Sequence, residues 1–168
     1  MLAGLSWPQL GGARDLLDIV GVNFYSNNQW IHGGPTIDIG HPLYRPFRAI
    51  LAEVHARYGR PIFVAETGCE GDRRPAWLDY VASEVAAAIG MGVPVEGICL
   101  YPVLNHPGWD DGRDCPNGLI EHSADVSGRV PYPPLAAAIT RAQARLTPLL
   151  AADQTFVAPA ARTAATVG

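Results

Sequence analysis

Apolar positions alternate along the chain between short unbroken runs and helical stripes. Leu16 to Tyr25 is apolar almost throughout until Asn23, the pattern of a strand buried on both faces. Pro61, Ile62, Phe63, Val64, Ala65, Glu66, Thr67 and Gly68 form a second such run, which ends in a carboxylate and a turn residue. Val95 to Leu104 is the third, with Pro102 expected at its very end because proline lacks the N–H a central strand needs. Between the runs the period changes. Phe47, Ile50, Leu51, Val54 and Tyr58 share a helical face that begins after Pro46 and is stopped by Gly59. Leu78, Val81, Val85 and Ile89 predict a second helix, entered through Pro75 and ended by Gly90 and Gly92. Leu135, Ile139, Ala142 and Leu146 predict a third after Pro133 and Pro134.

The rest reads as connections. Residues 1–14 are broken by Gly4, Pro8, Gly11 and Gly12, and residues 26–35 form a long polar loop around Trp30. Asn105 to Gly112 is polar, Gly-containing and aromatic. Beyond Pro148 the period is lost, so residues 1–148 are expected to form the folded unit and residues 149–168 a poorly ordered tail. Strands alternating with amphipathic helices imply an α/β fold of parallel βαβ units, with ligand-binding loops at the C-terminal strand ends. A small doubly wound sheet and part of a barrel both satisfy that order. Neither GxGxxG nor GxxxxGK[ST] occurs, which removes the main support for a nucleotide site.

Composition narrows the functional classes. The chain of 168 residues is 48% hydrophobic with a formal net charge of −4, and its isoelectric point is near 5.6. With no basic block, a nucleic-acid or anionic-membrane partner is not expected, and a small or neutral ligand fits better. Cys69, Cys99 and Cys115 form no CxxC pair, so reduced thiols in a cytoplasmic, soluble chain are expected. The N-terminus lacks the basic segment of a signal peptide, and no apolar run is long enough for a bilayer. His41, His106 and His122, with Asp110, Asp111 and Asp114, match no metal-ligand spacing, so neither metal nor cofactor is expected.

Glu66, at the tip of a buried strand, is the leading candidate for chemistry, because a carboxylate there faces a cleft and not the core. Its neighbours supply a pattern. Asn23 and Tyr25 follow a Gly-hydrophobic pair at the end of the first strand; Ala65, Glu66, Thr67, Gly68 resembles Thr-Glu-Asn-Gly; and Tyr101 to Trp109 aligns without gaps on Trp-Ser-Leu-Leu-Asp-Asn-Phe-Glu-Trp. In that order the three segments resemble the sixth, seventh and eighth strand ends of the family 1 glycoside hydrolases. These are retaining β-glycosidases on a (β/α)8 TIM barrel. The resemblance covers roughly residues 15–145 and implies a partial barrel of about three C-terminal βα units.

The resemblance implies Glu66 as nucleophile and Tyr25 as its hydrogen-bonding partner, with Asn23, Tyr101, Asn105 and Trp109 around a sugar. Trp109 alone keeps the family's residue type as a stacking platform; Gly108 replaces a sugar-gripping Glu, Tyr101 a Trp and Asn105 an acid. Trp30 is a further candidate to line the site, with His32 and His41 behind it. The family's Asn-Glu-Pro segment, which carries the acid/base, has no counterpart here. Glu70, Glu96 and Asp110 are the nearby acids; Glu96 is expected to precede its strand at the wrong end, and Glu70 and Asp110 have no motif behind them. A complete barrel takes about 250 residues. The expectation is therefore a C-terminal piece of a glycoside hydrolase acting on a carbohydrate or glycoside, its proton donor supplied by an upstream barrel segment. The alternative is a non-catalytic, sugar-binding remnant. Three βα units leave two strand edges open, which predicts self-association or an upstream partner.

Overall fold

The computed structural model describes residues 1–121 and 129–153. Three parallel strands, β1 (Val20–Asn23), β2 (Ile62–Thr67) and β3 (Val95–Leu100), form a sheet in the order β1-β2-β3. Helix α1 (Phe47–Tyr58) links the first pair and α2 (Arg74–Gly90) the second. Small antiparallel pairs follow: β4 (His106–Pro107) with β5 (Asp114–Cys115), then β6 (Ile120–Glu121) with β7 (Val130–Pro131). Helix α3 (Pro133–Asp153) closes the order.

The alternation along β2 explains the layering. Ile62 and Val64 are fully buried and point into the helices, while Phe63 and Ala65 face the other way and are half-buried. Phe24, Phe47, Leu51, Trp77, Val81 and Val85 fill the core between sheet and helices. Phe24 stacks on Phe47 with ring centroids 4.0 Å apart. Helix α2 is the central pillar: Leu78 meets Leu135 and Ala138 of α3 on one side, and buried Glu84 takes the Arg48 backbone N–H and guanidinium of α1 on the other. Gly59 ends α1 at φ 63°, a left-handed conformation that lets its N–H reach His55 O at 2.7 Å.

All three long strands and helices stand where the hydrophobic pattern puts them, with three shifts at their ends. The first strand is shorter than Leu16 to Tyr25, because Arg14–Leu16 makes a 3-10 turn and Leu16 is exposed. The third stops at Leu100, just before Pro102. Residues 149–153 belong to α3: the helix runs through Pro148, although that residue lacks an N–H for the helical ladder. Leu149 and Leu150 pack against the core, which holds the turn beyond the proline. The remainder of the expected tail, 154–168, lies outside the described residues, as does His122.

Among the described residues no closed barrel is formed, and β1 and β3 each pair along one edge only. Among them, too, no helix is long and apolar enough to cross a membrane.

Candidate active site

The C-terminal ends of the three strands converge. Asn23 ends β1 and Glu66 stands one residue before the end of β2. The register slips between Val22 and Asn23, which brings Asn23 opposite Glu66 instead of Ala65. The Asn23 amide then donates to Glu66 Oε2 at 2.6 Å. Tyr25, two residues on, completes the group. Its own burial, then the charge of Glu66 and a hydrogen bond to that carboxylate, push the phenol well above the usual tyrosine range. At neutral pH the Tyr25 phenol therefore keeps its proton beside the Glu66 carboxylate.

The backbone around Glu66 is held from three sides. Phe24 N–H donates to Glu66 O at 2.9 Å, and Tyr101 N–H to Thr67 O at 2.8 Å. Thr67 is fully buried; its hydroxyl donates to Phe24 O at 2.7 Å and accepts from the Trp77 indole at 3.0 Å. One hydroxyl thus ties the ends of β1 and β2 to α2. Gly68 permits the approach of the next segment, since a Cβ there would lie 1.9 Å from Tyr101 O.

The loops above these ends border an open cleft of about 440 Å³, lined by Tyr25, Tyr101, His106, Trp109 and Asn117 among others but not by Glu66 or Asn23. Trp109 is 86% exposed at the turn between β4 and β5, so its indole is free to stack on a ring. Tyr101 faces His106 with ring centroids 5.9 Å apart. A second cleft of about 280 Å³ lies between the loop after β1 and α2, walled by Ile39, Tyr44, Trp77 and Tyr80. The Tyr44 and Tyr80 hydroxyls meet at 2.7 Å, and burial, with that bond, raises the Tyr44 phenol above its ordinary value. Ser26, Cys69 and Arg73 line both clefts.

The structure brings Glu66, Asn23, Tyr25, Tyr101 and Trp109 to one end of the sheet and leaves two expected residues apart. Asn105 is buried, and its side-chain oxygen accepts the Gly118 N–H at 2.7 Å. It pins the loop after β3 and is not turned toward a ligand. Trp30 is 62% exposed and lines neither cleft; it bridges Thr36 within its own loop. His32 and His41 are exposed on the same loop, where His41 accepts the Leu43 N–H.

Two of the three nearby acids, Glu70 and Glu96, are not placed for proton donation. The Arg113 guanidinium takes both oxygens of Glu70 and holds that carboxyl below the usual range, so it stays ionised. Glu96 is the second residue of β3, at the opposite end of the sheet and roughly 10 Å along the strands from Glu66. Asp110 is exposed in the turn beside Trp109. Among the described residues no group of three or more His, Cys, Asp or Glu is arranged to hold a metal ion.

Arg74 carries no motif, yet it ties together the segments that follow β2 and β5. Buried at the start of α2, it donates to Gly71 O, Gly118 O and Glu121, and stacks over Tyr132 at 3.9 Å. Two arginines at a helix start, where the helix dipole disfavours cations, were the available signal.

The sequence matches no family model and no curated protein. Solved structures do match. The β-glycosidase of the hyperthermophile Thermosphaera aggregans superposes with a TM-score of 0.58 at 21% identity, over 80% of this chain and 34% of that one. The family 1 β-glucosidase of Thermotoga maritima gives 0.59 at 18%, over 77% of this chain and 35% of that one. A protein from Fervidobacterium pennivoraus gives 0.58 at 18%, over 92% and 40%. The chain thus spans well under half the length of the solved chains it matches, and what it shares with them is the fold of part of a β-glycosidase-like structure.

Proposed function

We propose that this chain is the C-terminal part of a retaining glycoside hydrolase of the family 1 type, with Glu66 as its nucleophile. The observation that carries the reading is the hydrogen bond from Asn23 to Glu66 at the strand ends, with the Tyr25 phenol beside it. An amide donor on the carboxylate, with a phenol beside it, aims the oxygen that attacks. In this reading Glu66 attacks the anomeric carbon of a β-glycoside, the aglycone departs with its bonding electrons, and water later releases the sugar. Trp109 and Tyr101 supply ring surface for the sugar. Retaining hydrolysis also needs a second carboxyl about 5.5 Å from the first. That acid/base comes from a segment outside this chain, which also covers the half-buried face of Phe63 and Ala65.

A second reading, sugar binding without cleavage, is favoured by one observation: Glu70, the acidic side chain lining the larger cleft, is tied to Arg113. A 2-deoxy-2-fluoro-β-glucoside with a 2,4-dinitrophenyl leaving group separates the two. Its phenolate departs without protonation, so the reagent tests the nucleophile with no acid/base present. Mass spectrometry of the labelled chain is expected to place one fluoro-sugar on Glu66, and Glu66→Gln to take up none. Saturable sugar binding with no adduct would overturn the hydrolase reading.

A further inference from the structure

Arg73, Arg74 and Arg113 lie beyond the end of β2 or on the hairpin tied to it, and two of the three are engaged. Arg74 is held by two carbonyls and Glu121, and Arg113 by Glu70 and Asp111. Arg73 is different. It makes no hydrogen bond or ion pair among the described residues, feels Glu70 only through its field, and lines both clefts. Its position immediately before α2 is one where the helix dipole disfavours a cation. Arg113 already takes both oxygens of Glu70, so that carboxylate has little capacity left for Arg73.

The walls on either side of Arg73 are largely aromatic, with one acid in each, Asp38 in the smaller cleft and the Arg113-bound Glu70 in the larger. Tyr25, Tyr101 and Trp109 stand in the larger cleft, and Trp77, Tyr44 and Tyr80 in the smaller. Ser26, shared by both, adds a hydroxyl. A guanidinium presents a planar fork that matches a carboxylate or phosphate with two parallel hydrogen bonds, and aromatic walls favour a flat ring attached to that anion. We infer that the paired clefts bind a ring-bearing anion, a carboxylate or a phosphate monoester, with Arg73 clamping the anionic group and the flanking aromatic side chains holding the ring. The site does not require that Glu66 attack a sugar.

The test uses the 168-residue chain with benzoate, phenyl phosphate and phenol as probes, followed by backbone amide NMR. Both anions, or one of them, are expected to shift the amides of Ser26, Cys69 and Arg73 at concentrations at least tenfold below those phenol needs. A preference for phenyl phosphate assigns the natural group as phosphate, and for benzoate as carboxylate. Arg73→Gln is expected to erase the advantage over phenol, and Arg73→Lys to keep part of it, because the charge remains while the fork is lost. Arg73 is exposed, so neither variant should change the thermal midpoint. Equal binding of phenol and the anions, an advantage that survives Arg73→Gln, or no shift with either anion would each overturn the inference. Labelling of Glu66 by the fluoro-glucoside is independent of all these outcomes, so failure here leaves the hydrolase reading standing, and the reverse.

Discussion

Asn23 donates to Glu66 across a slip in strand register, at 2.6 Å, and that slip is what turns a strand-end amide onto a strand-end acid. A hydrogen bond to a charged group is worth about 1.5 to 3 kcal/mol. Asn23→Ala is therefore expected to slow fluoro-glucoside labelling of Glu66 by roughly tenfold or more. The half-time of adduct formation, followed by intact mass, checks this. Asn23→Asp, which sets a second acid against Glu66, is expected to be slower still at neutral pH.

Tyr25 makes a prediction about alkaline pH. Its phenol holds a proton more tightly in the folded chain than the ordinary tyrosine value of 10.0, chiefly through burial and then through Glu66. Above pH 10 the unfolded chain releases that proton first. The contribution to stability is thus complete below about pH 10 and is lost as pH rises toward the folded value. Urea midpoints measured at pH 8 and pH 11 should fall less in Tyr25→Phe than in the parent chain. Glu66→Gln is expected to bring the Tyr25 transition part of the way back toward 10, as followed by tyrosinate absorbance, because burial remains when the charge is gone.

Elements whose apolar positions alone determine their partners are readable in the sequence. Ile62 and Val64 of β2, Leu51 of α1 and Val81 and Val85 of α2 sit in the core that their period implies. Glu66 was legible as a strand-end residue, because strand ends carry the loops of a parallel sheet, while Asn23 and Tyr25 stood out only through the resemblance to the family's sixth-strand motif. What was not legible depends on loop geometry. Asn105 looks like a ligand in sequence, yet its amide answers the Gly118 N–H thirteen residues on, a pairing no local pattern encodes. Glu70 looked available until Arg113, forty-three residues away, was brought across to it by the β4–β5 hairpin. Arg74 and Thr67 belong to the same class: their roles exist only once three separate loops have converged.

The Glu70–Arg113 pair fastens the hairpin that carries Trp109. Both side chains reach solvent, so added salt should weaken the tie. Because the Glu70 carboxyl is held below its ordinary value of 4.5, the tie persists above that pH and is released as pH falls through the lower folded value. Arg113→Gln is expected to raise hydrogen-exchange rates across residues 106–115 while leaving β2 and α2 unchanged.

Gly68 is required by space. A Cβ 1.9 Å from Tyr101 O forces the end of β2 and the loop after β3 apart. Gly68→Ala should destabilise the chain by about 2 kcal/mol, in the range of other overpacking substitutions. Gly90, at the end of α2, has no atom near its would-be Cβ. Gly90→Ala should be neutral or stabilising by about 0.5 kcal/mol, because alanine loses less backbone freedom in a helix. Urea unfolding of the two variants gives the contrast.

Thr67 tests whether the strand ends and α2 are joined by one hydroxyl. Thr67→Val keeps the shape and removes the oxygen, leaving the Phe24 carbonyl and the Trp77 indole N–H without their buried partner. An unsatisfied buried group costs about 1 to 3 kcal/mol, so the loss should be clear in urea unfolding. Trp77 fluorescence is expected to change in the folded variant, since its N–H loses its acceptor. Labelling of Glu66 should slow as well, because Phe24 holds the Glu66 carbonyl with its N–H and Thr67 with its own carbonyl oxygen. Thr67→Ser, which keeps the hydroxyl, should restore both the fluorescence and most of the labelling rate. Were the serine variant to behave like the valine one, the methyl and not the hydroxyl would be what positions the carboxylate.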